Sequence, residues 1–240
     1  MSPIQNFFTL NNHYLYPPKR KLSVMRLTII LFSLFLGLIA CGQGKQGADN
    51  KIMNSQDVPD SLATPGVIEY LGVNGPFKVG DYTFHLRWSS HPNENYYKQE
   101  YVPTIYDLEK YIQMVMVDVV IGNVKPKEAL KTQIQTLESR KPIDKLMKYT
   151  VSEDPKTGDP VLEFTISENY PGDGAIIEWN VYRYVPYSGP NGQKGIQLFG
   201  YSRRGYGVKT DPFQSEIGRD SQKFKANFMA VPMPVVKIKK

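Results

Sequence analysis

Residues 161–204 hold three stretches in which apolar and polar residues alternate, and glycine-containing turns separate them. In VLEFTISE, Leu162, Phe164 and Ile166 oppose Glu163, Thr165 and Ser167. In AIIEWNVYRYV, Ile177, Trp179, Val181 and Val185 share one face, and GIQLFGYSRR continues the series. A period of two is the signature of a strand with one face on a core. The turns PKTGDP (155–160), PGDG (171–174) and SGPNGQKG (188–195) are short, so consecutive strands must run antiparallel. An earlier stretch, DYTFHLRW, puts Tyr82, Phe84, Leu86 and Trp88 on one face in the same way. The sheet is the element that the rest of the chain must cover.

Two helices are expected to cover it. KPKEALKTQIQTLESRK carries Pro126 in its first turn, where a missing donor costs little, and must end before Pro142. Its apolar residues Leu130, Ile134 and Leu137 follow helical spacing. A second helix begins at Asp211-Pro212, presents Phe213, Ile217, Phe224 and Phe228 as its buried stripe, and stops before Pro232. For TIYDLEKYIQMVMVDVVIG the reading is a short helix, because Thr104 and Asp107 match a capping box, followed by a β-branched strand at Val115–Ile121. The expected fold is α+β: a single domain with an antiparallel sheet of about five to seven strands and flanking helices. This order of elements resembles the Mog1/PsbP-like fold, an antiparallel sheet between helices, and the resemblance implies nothing about activity.

Ahead of the sheet region, LTIILFSLFLGLIA (27–40) is fourteen residues without a charge. That is short of the roughly 20 residues that span a bilayer as a helix. It has the length of the apolar region of a secretory signal, about 7–15 residues behind a basic flank. The flank is Lys19, Arg20, Lys21 and Arg26, and residues 1–40 contain no acid. Leu38-Ile39-Ala40-Cys41 then resembles the lipobox of bacterial lipoproteins, with Ile at the second position where Ala or Ser is more usual. The resemblance implies that Cys41 receives a diacylglycerol, that a signal peptidase cuts before it, and that the new amine is acylated, palmitate being a typical acyl group. Two or three acyl chains, at about 0.8 kcal/mol per buried methylene, hold a protein at a membrane almost permanently. Gly42 stands where an inner-membrane retention signal would have Asp, so the implied location is the outer membrane, facing the periplasm. Met25 followed by Arg26 makes a compact signal start.

The expected organisation is therefore a signal at 1–40 with its start at Met1 or Met25, a lipidated Cys41 and polar, glycine-rich tether at 41–64, and a globular domain at 65–240. Removing residues 1–40 takes away four basic residues, leaving 25 basic against 23 acidic. The basic balance that would suggest nucleic-acid binding is thus mostly a property of the signal. Cys41 is the only cysteine, so the domain has no internal disulfide and must be stable through its core alone.

No sequence pattern for a catalytic serine, a metallopeptidase or a phosphate loop occurs, and no cofactor is expected. His85 and His91, with Glu94 and Glu100 nearby, lack the tight paired spacing of zinc ligands and are read as solvated, so no metal is expected. Glu163, Glu168, Asp173 and Glu178 are read as acids on the wet face of a sheet. The most distinctive cluster lies in EWNVYRY and GYSRRGYG: Trp179, Tyr182, Arg183, Tyr184, Arg203 and Arg204, with Tyr201 and Tyr206 close in sequence. Tyrosine and arginine together are favoured at binding surfaces. Arg183, however, falls in phase with Trp179 and Val181, which favours a buried clamp between the sheet and the last helix over a binding role, with Glu163 or Glu178 as partner if one strand is out of phase. Arg203 and Arg204 must point to opposite faces. The expectation is a non-catalytic, lipid-anchored envelope protein that binds another envelope protein. The alternatives are a small-molecule binder for a sugar or anion and, third, an envelope hydrolase.

Overall fold

The structure, a computed structural model, describes residues 66–239 apart from Asp173 and Asn191. The signal segment, Cys41 and the tether lie outside the described residues.

Eight strands form one antiparallel sheet in the order β1-β2-β3-β4-β8-β7-β6-β5. They are β1 (Phe77–Val79), β2 (Tyr82–Asn93), β3 (Tyr96–Val102), β4 (Gln113–Ile121), β5 (Lys148–Glu153), β6 (Pro160–Glu168), β7 (Ile176–Ser188) and β8 (Lys194–Tyr206). Helix α1 (Pro126–Arg140) connects β4 to β5, and helix α2 (Thr210–Met229) follows β8 after a single 3-10 turn at Gly207–Lys209. The described residues belong to one compact unit. The α+β expectation stands in its coarse form, with eight strands instead of five to seven.

Three strands, β1, β3 and β5, lie outside the five stretches read as strands from the sequence, and each has a physical reason; β5 is exposed along almost its whole length and so carries no apolar face. β1 is three residues long. β3 reads YYKQEYV, polar on both faces, because its Lys98 and Glu100 are buried charges while Gln99 is a buried amide. The Gln99 side chain accepts hydrogen bonds from the Tyr70 and Leu71 backbone N–H groups, both at 2.9 Å, and donates to the Val73 carbonyl at 3.1 Å. It thereby fastens the segment before β1 to the sheet. The C-terminal segment joins there, with Lys237 and Lys239 N–H groups donating to the carbonyls of Leu71 and Tyr70.

The expected short helix at 104–111 is absent; the chain there makes turns, and β4 begins at Gln113. Its Ile105 stays exposed, while Tyr111 is drawn inside to donate to Glu178 at 2.8 Å. A second correction concerns β2. A register shift between Leu86 and Trp88 sets Leu86 opposite Tyr101 but Trp88 opposite Glu100. Because adjacent residues of β3 point to opposite faces, the bulge turns Trp88 away from the face that Leu86 occupies.

Both faces of the central strands are covered. Helix α2 packs on β7 and β8, and its Phe213, Ile217 and Phe228 join Phe84, Tyr101, Val117, Trp179, Val181 and Phe199 in the main apolar core. Helix α1 packs on β6 and β7 from the other side, over Leu162, Phe164 and Ile166, with Leu130, Gln133 and Leu137 buried. Close approach is set by two glycines of β8. A Cβ on Gly200 would lie 2.7 Å from Met116 and 3.0 Å from the Tyr182 ring, and one on Gly205 would lie 2.6 Å from Phe213. The central strand lets its neighbours close over it on one face at Gly200 and seats the first turn of α2 on the other at Gly205.

Candidate functional site

Strands β7 and β8 pair along their whole lengths, with Glu178 opposite Arg204, Trp179 opposite Arg203 and Arg183 opposite Phe199. Alternation then divides the six candidate residues into two sets. Trp179, Arg183 and Arg203 lie under α2, and Tyr182, Tyr184 and Arg204 lie on the α1 face. All six are buried. Sequence proximity suggested one cluster, whereas the sheet separates it into two layers.

Each arginine holds a carboxylate of its own domain, buried for Arg183 and Arg204 and half-exposed for Arg203. Arg183 donates to Asp154 at 3.0 Å and to the Val231 carbonyl, just past α2, at 2.8 Å. It is a clamp between the sheet and the C-terminal segment, and its partner comes from the β5–β6 turn, not from Glu163 or Glu178. Asp154 is held below the ordinary aspartate range, first by the Lys156 N–H and then by Arg183, against the opposing effect of burial. Arg203 reaches Glu216 of α2 at 2.6 Å and stacks 3.9 Å from the centre of the Phe224 ring. Arg204 Nε donates to Glu178 at 2.7 Å, and its guanidinium lies 4.2 Å over the Tyr111 ring. Burial works against the Arg204 charge, but Glu178, with Tyr111 and Tyr206, outweighs burial and leaves the pKa raised. A buried pair of this kind is stable only while both partners and their hydrogen bonds are present.

The remaining candidates are structural in their contacts. Trp179 donates to Glu163 at 3.1 Å, and Lys225 of α2 reaches the same carboxylate at 3.2 Å. Tyr182 meets Phe164 edge-on, with ring centres 5.0 Å apart. Burial pushes the Tyr182 and Tyr184 phenols up, and the Tyr184 hydroxyl has no hydrogen-bond partner. Glu178, expected on a wet face, is fully buried; Glu163 is half-buried and Asp173 lies outside the described residues.

A second group on the α1 face escaped the sequence reading. Lys98 of β3 lies 3.6 Å from Glu100 and 3.5 Å from Asp118 of β4, all three buried, and the Tyr96 hydroxyl is 3.4 Å from Asp118. Burial raises the Asp118 carboxyl to about 6, with Lys98 pulling it down and Glu100 pushing it further up. Burial also works against the Lys98 charge, but Asp118 and Glu100 outweigh it and hold its pKa above the ordinary lysine value. One signal was available: Asp118 is the lone charge in the apolar run VMVDVVI, where only a buried cation on the next strand could face it.

His85 and His91 are engaged in the β2–β3 hairpin. The His91 ring stacks on Tyr97 with centres 3.9 Å apart and lies 3.1 Å from the Tyr96 carbonyl, and His85 pairs with Val102 in the β2–β3 ladder. No group of three or more metal-ligating side chains occurs among the described residues. Nor is any helix among them long and apolar enough to cross a membrane.

Two surface concavities bear on ligand binding. One, of about 190 Å³, lies between α2 and the β5–β6 end of the sheet, with Ile177, Phe213 and Ile217 as its floor and Lys145, Lys148 and Thr165 on its walls. The other is an open groove of about 600 Å³ between β1 and the segment after α2, lined by Phe77, Lys78, Val231 and Met233 among others. None of the six candidate residues lines either one.

A protein-family model matches residues 71–233, about two thirds of the chain, and the chain belongs to that family; the match assigns no activity. No curated protein and no solved structure matches the chain.

Proposed function

We propose that the chain is a bacterial lipoprotein anchored through Cys41 at the cell envelope, in the outer membrane facing the periplasm, and that its domain acts by binding. The carrying observation is the placement of Cys41: directly after a basic flank and a fourteen-residue apolar run, and ahead of a polar stretch that ends where the folded sheet region starts. The family match begins at 71, past that stretch, which supports a division into address, tether and working domain. Within that reading, Arg183, Arg203 and Arg204 are taken out of the binding surface. Each already holds a carboxylate of its own domain, so recognition of a partner falls to the outer surface. Another envelope protein is the first partner class. A small ligand is the second, favoured by the cavity beside α2, which combines an apolar floor with two lysines.

The test is radiolabelled palmitate incorporation and membrane fractionation of the wild-type chain and Cys41→Ser in a bacterial host. The wild type should carry label and sediment with the outer membrane, and the variant should lose both. Equal labelling of the two would defeat the proposal.

A further inference from the structure

We propose that the cavity between α2 and the β5–β6 end of the sheet is a binding site for a short-chain amphiphilic anion, an alkyl carboxylate, with its tail on Ile177, Phe213 and Ile217 and its head between Lys145 and Lys148. This rests on the small-ligand reading given above and names the class of ligand.

The floor is apolar and already formed. Ile177, Phe213 and Ile217 are all buried residues of the main core, and Phe213 is fixed by its seat on Gly205. A tail placed there meets a rigid surface, so little ordering is needed on binding. The rim is cationic. Lys145 and Lys148 are exposed, and neither makes an ion pair among the described residues. The nearby acids are engaged elsewhere: Asp144 with the Ser167 N–H and hydroxyl, Glu216 with Arg203, and Asp211 with the Tyr170 hydroxyl. Phe213 also lies in the first turn of the twenty-residue α2, whose positive end adds to the attraction for an anion.

Size sets the length of the tail. At about 30 Å³ per methylene-sized group, the share of one water molecule in the liquid, a volume of about 190 Å³ holds roughly six such groups. Hexanoate fits, and a tail much beyond it projects into solvent. An anion with no apolar part leaves the floor unused, and a neutral amphiphile leaves both lysines unused.

The test is isothermal titration of the full chain in lipid nanodiscs, with empty nanodiscs subtracted, using sodium butyrate, hexanoate, octanoate and dodecanoate, and hexanamide as the uncharged control. Hexanoate should saturate one site with Kd of about 1 mM. Affinity should rise about twofold per methylene, each group being about half covered in a cavity open on one side, up to roughly six carbons and then level off. Hexanamide should bind about fivefold more weakly, as should hexanoate to Lys145→Gln/Lys148→Gln, whose exposed substitutions leave the melting temperature unchanged. Three results would each overturn the proposal: no saturation by hexanoate, unchanged hexanoate affinity in the double variant, or affinity that climbs steadily to dodecanoate without a break. None of them bears on lipidation at Cys41, which the palmitate experiment reads separately.

Discussion

Replacing Arg183 with alanine removes two contacts at once: the ion pair with Asp154 and the hydrogen bond to the Val231 carbonyl. Asp154 stays buried, with only 6 % of its surface exposed, and loses its cation. Breaking a buried pair from one side costs about 3–5 kcal/mol. The lower end applies, because the Lys156 N–H at 2.9 Å continues to satisfy one Asp154 oxygen. A loss of about 3 kcal/mol in a domain of this size lowers the melting temperature by roughly 6–12 °C. The assay is thermal unfolding followed by circular dichroism, with the urea midpoint as a second measure. The double variant Arg183→Met/Asp154→Leu removes both charges together and should recover more than half of the lost stability, since apolar replacement of a buried pair is often close to neutral. If Arg183→Ala melted within about 1 °C of the wild type, the clamp reasoning would fail and Arg183 would again be a candidate for contact with a partner.

Three other predictions follow from the same geometry. Asp118 has a folded pKa of about 6, above the ordinary aspartate value of 3.8, so its protonated form favours the fold. Its stabilising contribution is complete below about pH 4 and is lost as pH rises through 6, amounting to about 3 kcal/mol. Asp118→Asn should therefore gain stability relative to the wild type between pH 4 and 7, read as a difference in urea midpoints, and parallel profiles would contradict the assignment. Gly200→Ala drives a methyl group against Met116 and Tyr182 and should cost about 1–3 kcal/mol, measured by the same denaturation. Gln99→Leu leaves the Tyr70 N–H without its side-chain partner and takes one of two partners from the Leu71 N–H, which keeps Glu69, and from the Val73 carbonyl, which keeps the Tyr101 hydroxyl. Hydrogen exchange at residues 70–73 should accelerate while the β7–β8 ladder stays protected, and uniform acceleration across the sheet would refute a local role.

Strands β6, β7 and β8 and both helices were legible in the sequence because each obeys one period and ends at a glycine or proline. The opposite orientation of Arg203 and Arg204 follows from the same period. What could not be read was long-range. Arg183 finds its carboxylate 29 residues away, in a turn whose sequence DPKTGD announces only a turn. β3 hides because its buried face carries Lys98 and Glu100, so burial and hydrophobicity part company there. Glu178 was misplaced for the same reason: a sheet covered on both faces turns a nominally wet position into a buried one, and Arg204 on the neighbouring strand, with the Tyr111 hydroxyl, makes that tolerable. The cavity beside α2 joins Ile177, Phe213 and Lys148 from three separated segments, and no local pattern marks such a meeting.

The most direct test of the central claim is the intact mass and N-terminal peptide of the protein purified from bacterial membranes. A lipid-anchored envelope protein predicts a chain that begins at Cys41, with a diacylglycerol on the sulfur and an acyl group on the amine. A chain that begins elsewhere, or a Cys41 that carries a free thiol, would contradict it.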